Sequence, residues 1–154
     1  MKSQKEYNRA FSSALRYLAG RDRTEAEISS FLNKKGFSPT SIESVLEVCK
    51  NQGYIDDGRF ASRWAENRSK NSYKSNMVLR MELISKGVSS NLIENALQTI
   101  DEADAALVAA EKAVWRWKSL GWDEFSKKMS LSLSRKGFSS ETILCTLEKL
   151  KYTR

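Results

Sequence analysis

We predict an all-α protein built from three tandem three-helix repeats of about 50 residues each. Seven glycines, one proline and few alternating β-branched residues among 154 argue against strands and favour helices. A glycine-centred pattern also recurs at Gly36, Gly87 and Gly137, which lie 51 and 50 residues apart. Repeats of this kind bury their apolar faces by stacking on their neighbours, so we expect an elongated, curved array.

The recurring unit can be explained as the end of one helix and the start of the next. A glycine after a lysine allows the left-handed turn that ends a helix, and the lysine suits the negative end of the helix dipole. A serine two residues after the glycine is a good N-cap, and the apolar residue between them is placed to pack onto the following helix. The three copies of this turn are Lys35–Ser38, Lys86–Ser89 and Lys136–Ser139.

The predicted domain boundaries follow from these turns and from local helix signals. Residues 1–9 are polar and basic, and we expect them to form a flexible arm. The three helical repeats are assigned to residues 10–55, 56–102 and 103–154, with the first helix starting at Ala10.

Two further helix starts are visible before the glycine turns. Thr24 and Glu27 stand at the spacing of a capping box, in which each side chain bonds the backbone N–H of the other residue. Asp57 is placed to be the N-cap of the first helix of the middle repeat. We interpret the pair Asp56–Asp57 as a cap and a turn rather than as a metal or acid–base site, because no other ligands accompany it.

The composition excludes several classes of chemistry. The chain has no histidine, and it contains neither a P-loop nor a dinucleotide-binding glycine motif. Cys49 aligns with apolar residues of the other repeats and is expected to be buried, whereas Cys145 aligns with polar ones and is expected to be exposed. We therefore expect no enzyme activity, no catalytic residue, no metal and no cofactor. No apolar run approaches the roughly 20 residues that span a bilayer, so we expect a cytoplasmic protein without a membrane partner.

Positive charge is the remaining functional signal. The net charge of +7 and the pI near 9.5 favour an acidic partner such as nucleic acid or a nucleoprotein, with simple solubility as the alternative. Basic side chains cluster on predicted helices of the middle and third repeats, which suits an extended binding surface or, for each helix alone, a solvated face. The candidate partner-binding residues are Arg59, Arg63, Arg68, Lys70, Lys74, Lys112, Arg116, Lys127, Lys128 and Arg135.

Three tryptophans are concentrated in the third repeat, at Trp115, Trp117 and Trp122. Large aromatic side chains most often fill a core or a contact between repeats, and we interpret most of these rings in that way. The alternative is a platform on which nucleic-acid bases stack.

The middle of the chain resembles the RecX family, whose members regulate the bacterial RecA recombinase. The resembling residues are Gly53–Asp57, Arg59–Ala61, Arg68, Tyr73, Glu82–Leu83 and Lys86–Gly87, with an earlier match at Leu18–Ala19, Arg21–Glu25 and Glu27. The resemblance covers residues 10–100 and reaches the third repeat only through the shared pattern. The chain departs from the family at Lys70–Tyr73, where a glycine-containing turn is frequent.

The resemblance implies a non-enzymatic inhibitor. It implies binding to the RecA–DNA filament along its helical groove, with reduced ATP hydrolysis, strand exchange and co-protease action on the SOS repressor. We also expect DNA contact through the basic surface, and a monomer. Two alternatives stay open, namely a basic helical-repeat protein that competes for DNA and a helical scaffold for some other protein.

Overall fold

The computed structural model describes the backbone of residues 2–153 and the side chains of residues 3–153. Within these residues the protein is all-helical, as predicted, and contains no strand. A 3₁₀ turn, Val114–Arg116, follows the seventh α-helix. The nine α-helices of the described residues are α1 (Lys2–Gly20), α2 (Glu25–Lys34), α3 (Pro39–Asn51), α4 (Asp57–Ser72), α5 (Asn76–Ser85), α6 (Ser90–Leu97), α7 (Glu102–Ala113), α8 (Trp122–Arg135) and α9 (Ser140–Thr153).

These helices divide into two compact units. The first unit holds the chain up to Ser62 together with Leu83–Ile93, and the second holds Arg63–Glu82 together with the chain from Glu94 onward. The division passes through α4, α5 and α6, so each helix of the middle repeat contributes residues to both units.

The first unit is built on the packing of α1, α2 and α3. Ile28, Leu32 and Val45 are fully buried in its core, where apolar side chains are removed from water. Cys49 lies in the same core, as predicted, and burial raises the pKa of its thiol. Cys145 is exposed, also as predicted.

The prediction of a flexible arm at residues 1–9 is wrong for residues 2–9, which form the start of α1; Met1 lies outside the described residues. A tertiary contact holds this segment. The Glu6 carboxylate accepts hydrogen bonds from the N–H of Ser38 at 2.8 Å and from its hydroxyl at 3.3 Å. The N–H bond is the main reason why the pKa of Glu6 lies below its usual range. Polar composition indicated exposure but did not reveal this anchor.

The second unit has its core between α7, α8 and α9. One face of α7 is a stripe of buried alanines between Ala105 and Ala113, which allows the neighbouring helices to approach closely. Trp117 and Trp122 are half-buried against this core, so the packing interpretation is confirmed for two of the three rings. Trp115 is 69% exposed and does not fit that interpretation.

The glycine turns that define the repeat have the predicted left-handed backbone. The φ angle is +87° at Gly36, +81° at Gly87 and +89° at Gly137. In each copy the residue after the glycine donates its N–H to a leucine carbonyl five residues earlier, at 3.1 or 3.3 Å. This bond is the mark of a Schellman motif, so the three helix ends are built alike.

The N-cap of α4 is Asp56, and the predicted capping role of Asp57 is wrong. The Asp56 carboxylate accepts a hydrogen bond from the Arg59 N–H at 2.9 Å, and its carbonyl accepts one from the Phe60 N–H at 2.9 Å. Asp57 is the first helical residue, and its carboxylate accepts from the N–H of Glu25 at the start of α2, also at 2.9 Å. Asp57 therefore stabilises a neighbouring helix start instead of its own.

Candidate functional site

Within the first unit, the start of α2 meets the Lys86–Gly87 turn, and we name this contact the first junction. Thr24 is the N-cap of α2, and its hydroxyl donates a hydrogen bond to the Lys86 carbonyl at 2.7 Å. A Cβ atom on Gly87 would lie 2.3 Å from the Cβ of Ala26, so any larger residue forces the helix and the turn apart. The first junction is therefore a close contact that depends on glycine.

Opposite charges balance at the first junction. The Glu27 carboxylate accepts from the Thr24 N–H at 3.1 Å, which completes the predicted capping box, from Arg21 at 3.2 Å and from Lys86 at 3.4 Å. Burial opposes the ionisation of Glu27, but these donors outweigh it and hold the pKa of Glu27 below its usual range.

A second set of polar contacts surrounds the same helix start. The side chain of Lys50 lies 3.0 Å from the Glu25 carboxylate. Burial, with the nearby charges of Glu25 and Asp56, raises the pKa of Asp57 above its usual value, although Asp57 accepts the Glu25 N–H. Both Asp56 and Asp57 thus accept backbone N–H groups at helix starts, Asp56 at α4 and Asp57 at α2.

Within the second unit, the start of α5 meets the Lys136–Gly137 turn, and we name this contact the second junction. Ser75 is fully buried; its hydroxyl accepts from the Val78 N–H at 3.2 Å, and its own N–H donates to the Lys136 carbonyl at 3.2 Å. A Cβ atom on Gly137 would lie 2.6 Å from the Ser75 hydroxyl oxygen and 2.4 Å from a Val78 methyl group. In both junctions the capping residue therefore bonds the carbonyl of the lysine before the glycine, through the Thr24 hydroxyl at the first and through the Ser75 N–H at the second.

The side chains of the second junction differ from those of the first. Tyr73 precedes α5 in a left-handed conformation, with φ +51°. The Nζ atoms of Lys112 and Lys136 lie 4.8 and 5.9 Å from the centroid of its ring, and Lys112 donates a hydrogen bond to its hydroxyl. An aromatic ring attracts cations through its negative face, so Tyr73 draws two lysines of different segments together.

Positive charges lie close together around Lys136. Burial lowers the pKa of Lys136, and the charges of Lys74 and Arg116 lower it further. Across the described residues, no carboxylate forms an ion pair with Lys112, Arg116 or Lys136. We name this group the Tyr73 cluster: Tyr73, Lys74, Lys112, Arg116 and Lys136.

The repeat alignment explains why the second junction lacks an acid. Glu27 stands nine residues before Gly36, and the residue nine before Gly87 is Val78. Lys86 therefore meets a carboxylate, whereas the equivalent Lys136 lies beside a tyrosine ring.

The structure brings three of the ten predicted binding residues into the Tyr73 cluster, namely Lys74, Lys112 and Arg116. Lys136 is not among the ten candidate residues, and its position before a helix-ending glycine suits the negative end of the helix dipole. The side-chain contacts of Tyr73 could not be predicted from the sequence, since no local pattern favours a left-handed tyrosine in this loop. Whether these residues bind a partner stays a prediction.

Trp115 lies beside the Tyr73 cluster. The guanidinium carbon of Arg116 is 5.9 Å from the centroid of the Trp115 ring. The ring is exposed on the 3₁₀ turn after α7, and this turn also carries Arg116. An exposed indole next to a cation is a combination that suits nucleic acid.

Arg68 on α4 is bound inside the second unit. Its guanidinium donates to the Glu82 carboxylate through Nε at 3.1 Å and through Nη2, and the Trp64 indole N–H donates to the same carboxylate at 2.8 Å. Burial opposes ionisation of Glu82, but these donors outweigh it and keep its pKa below the usual range. Arg68 therefore has a structural role, and its predicted contact with a partner stays untested.

The other predicted residues of α4 are exposed. Arg59 donates to the Gly53 carbonyl at 3.1 Å, and Lys70 pairs with Glu66 at 2.8 Å one helical turn away. Water screens an exposed pair at this spacing, so Lys70 can leave it at little cost. Arg63 is exposed on the same helix.

The predicted residues of α8 point into solvent. Lys127, Lys128 and Arg135 are exposed, and none of them forms a side-chain hydrogen bond or ion pair within residues 3–153. No group of three or more acidic or cysteine side chains in the described chain could hold a metal ion. Among the described helices, none is long and apolar enough to cross a membrane.

Comparison with known proteins gives a family for this arrangement. A family model described as RecX, first three-helix domain, matches residues 10–49, and one described as RecX, second three-helix domain, matches residues 56–97. A protein of Bacillus licheniformis named Regulatory protein RecX is 34% identical over 150 residues, covering 96% of this chain. A protein of the same name from Chlorobium phaeobacteroides is 34% identical over 143 residues, covering 92% of this chain and 93% of its own length.

A solved structure shows the same fold. The crystal structure of RecX from Lactobacillus salivarius superposes with a TM-score of 0.88 at 23% identity, covering 97% of this chain and 99% of that one. The chain spans only 57% of the length of the Bacillus licheniformis relative.

Proposed function

Because the chain belongs to the RecX family, as its residues predicted, we propose that it is a negative modulator of the RecA recombinase that binds the RecA–DNA filament. In this proposal the protein lies along the filament groove and lowers ATP hydrolysis, strand exchange and co-protease activity. It works in the cytoplasm, as a monomer and without a catalytic centre. The relatives named Regulatory protein RecX support the regulatory role.

The observation that carries the proposal is the positive charge of the Tyr73 cluster. Like charges held close together repel each other in the free protein, and an anionic partner removes that repulsion. A filament that contains DNA offers phosphates, and each neutralised phosphate releases counterions. Lys112 and Arg116 are exposed and can meet them.

Further contacts come from exposed cations on helices of the same chain. Arg63 lies on α4, and Lys127, Lys128 and Arg135 lie on α8. Individually such contacts are weak, but several contacts on one folded chain act at high effective concentration and give avidity without a deep pocket.

The proposal is tested by titrating the protein into pre-formed RecA filaments on single-stranded DNA and measuring ATP hydrolysis. We expect inhibition by the natural chain, and a requirement for about tenfold more of the Arg59→Glu/Arg63→Glu variant, because two contacts become repulsive. Arg68 is left unchanged because its loss would leave Glu82 without its main partner.

The matched control is Lys149→Glu/Lys151→Glu, which reverses the same number of exposed charges on α9. Far-UV circular dichroism checks that both variants keep their helices. Failure of the natural, folded chain to inhibit contradicts the proposed function. Equal inhibition by the two variants removes this face of α4 from the binding surface.

The same cluster favours a second candidate function, in which the protein competes for free DNA. In that case inhibition disappears when the filaments are pre-formed and no free DNA remains. It also falls steeply with salt, since the binding energy comes from counterion release.

A further inference from the structure

We infer that the Tyr73 cluster and Trp115 form a subsite for single-stranded nucleic acid, in which the cations hold a phosphodiester and the indole ring stacks on an unpaired base. The inference rests on the proposed function for its biological setting. It concerns direct binding of a strand by this chain in the absence of the recombinase, and it can therefore be tested separately.

The phosphate part of the subsite follows from the comparison of the two junctions. At the first junction, the lysine before the glycine reaches a carboxylate on Glu27, 3.4 Å away. At the second junction the aligned residue is Val78, and among the described residues the lysine Nζ has only the Ser72 carbonyl at 3.4 Å and the face of the Tyr73 ring. A phosphate oxygen supplies the anionic acceptor that the described part of the chain does not provide to this lysine.

Convergence of segments makes this group more than a charged helix face. Lys112 belongs to α7, Arg116 to the 3₁₀ turn, Tyr73 and Lys74 to the loop before α5, and Lys136 to the turn before α9. Lys112 is held by its hydrogen bond to the Tyr73 hydroxyl, and Lys136 by its contact with Ser72. Side chains held in place lose less conformational freedom when a ligand binds, which favours affinity.

The base part of the subsite follows from the exposure of Trp115. Its neighbours Trp117 and Trp122 pack on the core, whereas the Trp115 ring leaves 69% of its surface in water. Arg116 joins the two parts, since it lies 5.9 Å from the Trp115 ring and its charge acts on Lys136. A strand whose phosphate meets the cluster can thus place a neighbouring base on the indole.

Stacking on an exposed indole discriminates between forms of nucleic acid. In a duplex the faces of the bases are covered by their neighbours, whereas in a single strand they are free to stack on an aromatic side chain. An acidic peptide could satisfy the cations but has no flat ring for Trp115. The combination therefore favours a single strand over a duplex or an acidic peptide.

The test uses the full chain without RecA and a fluorescently labelled oligonucleotide of about 15 thymidines, followed by anisotropy. Its comparison ligands are a duplex of equal length, an abasic phosphodiester of equal length and a polyglutamate competitor. The variants are Trp115→Ala and Lys112→Ala/Arg116→Ala. The control is Lys149→Ala/Lys151→Ala, which removes two exposed charges from α9.

We expect the natural chain to bind the thymidine strand more tightly than the duplex or the abasic strand. Trp115→Ala should weaken thymidine binding by about five- to a hundredfold and leave abasic binding unchanged, because only the stacking is lost. Lys112→Ala/Arg116→Ala should weaken the binding of both the thymidine strand and the abasic strand. It should also reduce the slope of log affinity against log salt by about one to two. The control variant should bind both strands with nearly the affinity of the natural chain.

Any one of three results would overturn the subsite. The chain could bind strand and duplex with equal affinity, or Trp115→Ala could bind the thymidine strand as tightly as the natural chain. The third such result is displacement of the strand by polyglutamate at equal charge. Parallel measurement of RecA ATP hydrolysis separates the two proposals. If the natural chain inhibits filaments but does not bind thymidine strands, the subsite fails and the proposed function stands. If it binds strands without inhibiting filaments, the proposed function fails and the subsite stands.

Discussion

At the first junction the Glu27 carboxylate lies among Thr24, Arg21 and Lys86, whereas at the second junction the aligned residue is Val78 and the lysine lies beside Tyr73. The backbone contacts also exchange roles. At the first junction the N–H of the capping residue bonds the Glu27 side chain, and its hydroxyl bonds the lysine carbonyl. At the second junction the N–H of Ser75 bonds the lysine carbonyl directly, at 3.2 Å.

The residue at this one aligned position, Glu27 or Val78, therefore decides whether the junction is a contact that stabilises the fold or a surface that can bind an anion. Both junctions dock a glycine turn on a helix start and need no acid for that purpose. Where the acid is present, its partners are satisfied within the chain. Where it is absent, the same lysine keeps its positive charge available to a ligand, at the cost of repulsion from its neighbours.

Alanine at the junction glycines should give the largest loss of stability, since it disturbs the close docking of a glycine turn on a helix start that both junctions share. Gly87→Ala places a Cβ 2.3 Å from Ala26 at φ +81°, and Gly137→Ala meets Ser75 and Val78 at φ +89°. Left-handed backbone and overpacking together should lower the free energy of unfolding by about 2–5 kcal/mol. Urea denaturation followed by circular dichroism measures this change.

Gly36→Ala is the matched control for these substitutions. Its φ angle is +87°, but nothing lies within 4 Å of the added Cβ, so only the conformational cost of about 1–2 kcal/mol applies. If Gly36→Ala lowers the free energy of unfolding as much as Gly87→Ala does, the close contact between Gly87 and Ala26 contributes nothing to the loss.

Glu27→Val should copy the second junction onto the first and have the next largest effect. The Thr24 N–H loses its acceptor, and Arg21 and Lys86 lose this carboxylate, so the free energy of unfolding should fall by about 1–3 kcal/mol. Glu43→Val, an exposed site on α3, is the control and should change stability by less than about 0.5 kcal/mol.

The pH dependence of this loss follows from the pKa of Glu27. The folded-state pKa lies below the unfolded value of 4.5, so the carboxylate contributes its stability above that value. The contribution is lost as the pH falls through the folded pKa, where Glu27 becomes protonated in both states. Urea midpoints of Glu27→Val and the natural chain should therefore converge at low pH, and a constant difference would contradict the assigned role of the charge.

Val78→Glu is the reciprocal change and should have the smallest effect on stability. A carboxylate near Lys136 gives the lysine an internal partner, and the free energy of unfolding should change by less than about 1 kcal/mol. Affinity for a thymidine strand should fall about three- to tenfold, because one phosphate contact is replaced. Met81→Glu adds the same charge at an exposed site on α5 and should weaken strand binding less. Equal weakening by both variants would indicate a general charge effect.

Features that depend on neighbouring residues could be predicted from the sequence. The Thr24–Glu27 capping box follows from residues within one repeat, and the glycine turns and the burial of Cys49 follow from the alignment of the repeats. The start of α1 and the cap of α4 could not be predicted from the sequence, because each depends on a contact with a distant segment. Residues 2–9 look flexible until Glu6 meets Ser38, and either aspartate fits an N-cap until Asp57 meets Glu25.

The repeat pattern, the turn chemistry and the supply of positive charge follow from the sequence alone, because backbone conformation and capping are set by residues a few positions apart. The convergence of Lys112 and Lys136 on Tyr73, and the commitment of Arg68 to Glu82, follow only from the tertiary structure. Coulomb energy depends on distance in space, and these side chains come from segments that are far apart along the chain. Packing of the helices decides which cations meet an acid and which remain for a ligand.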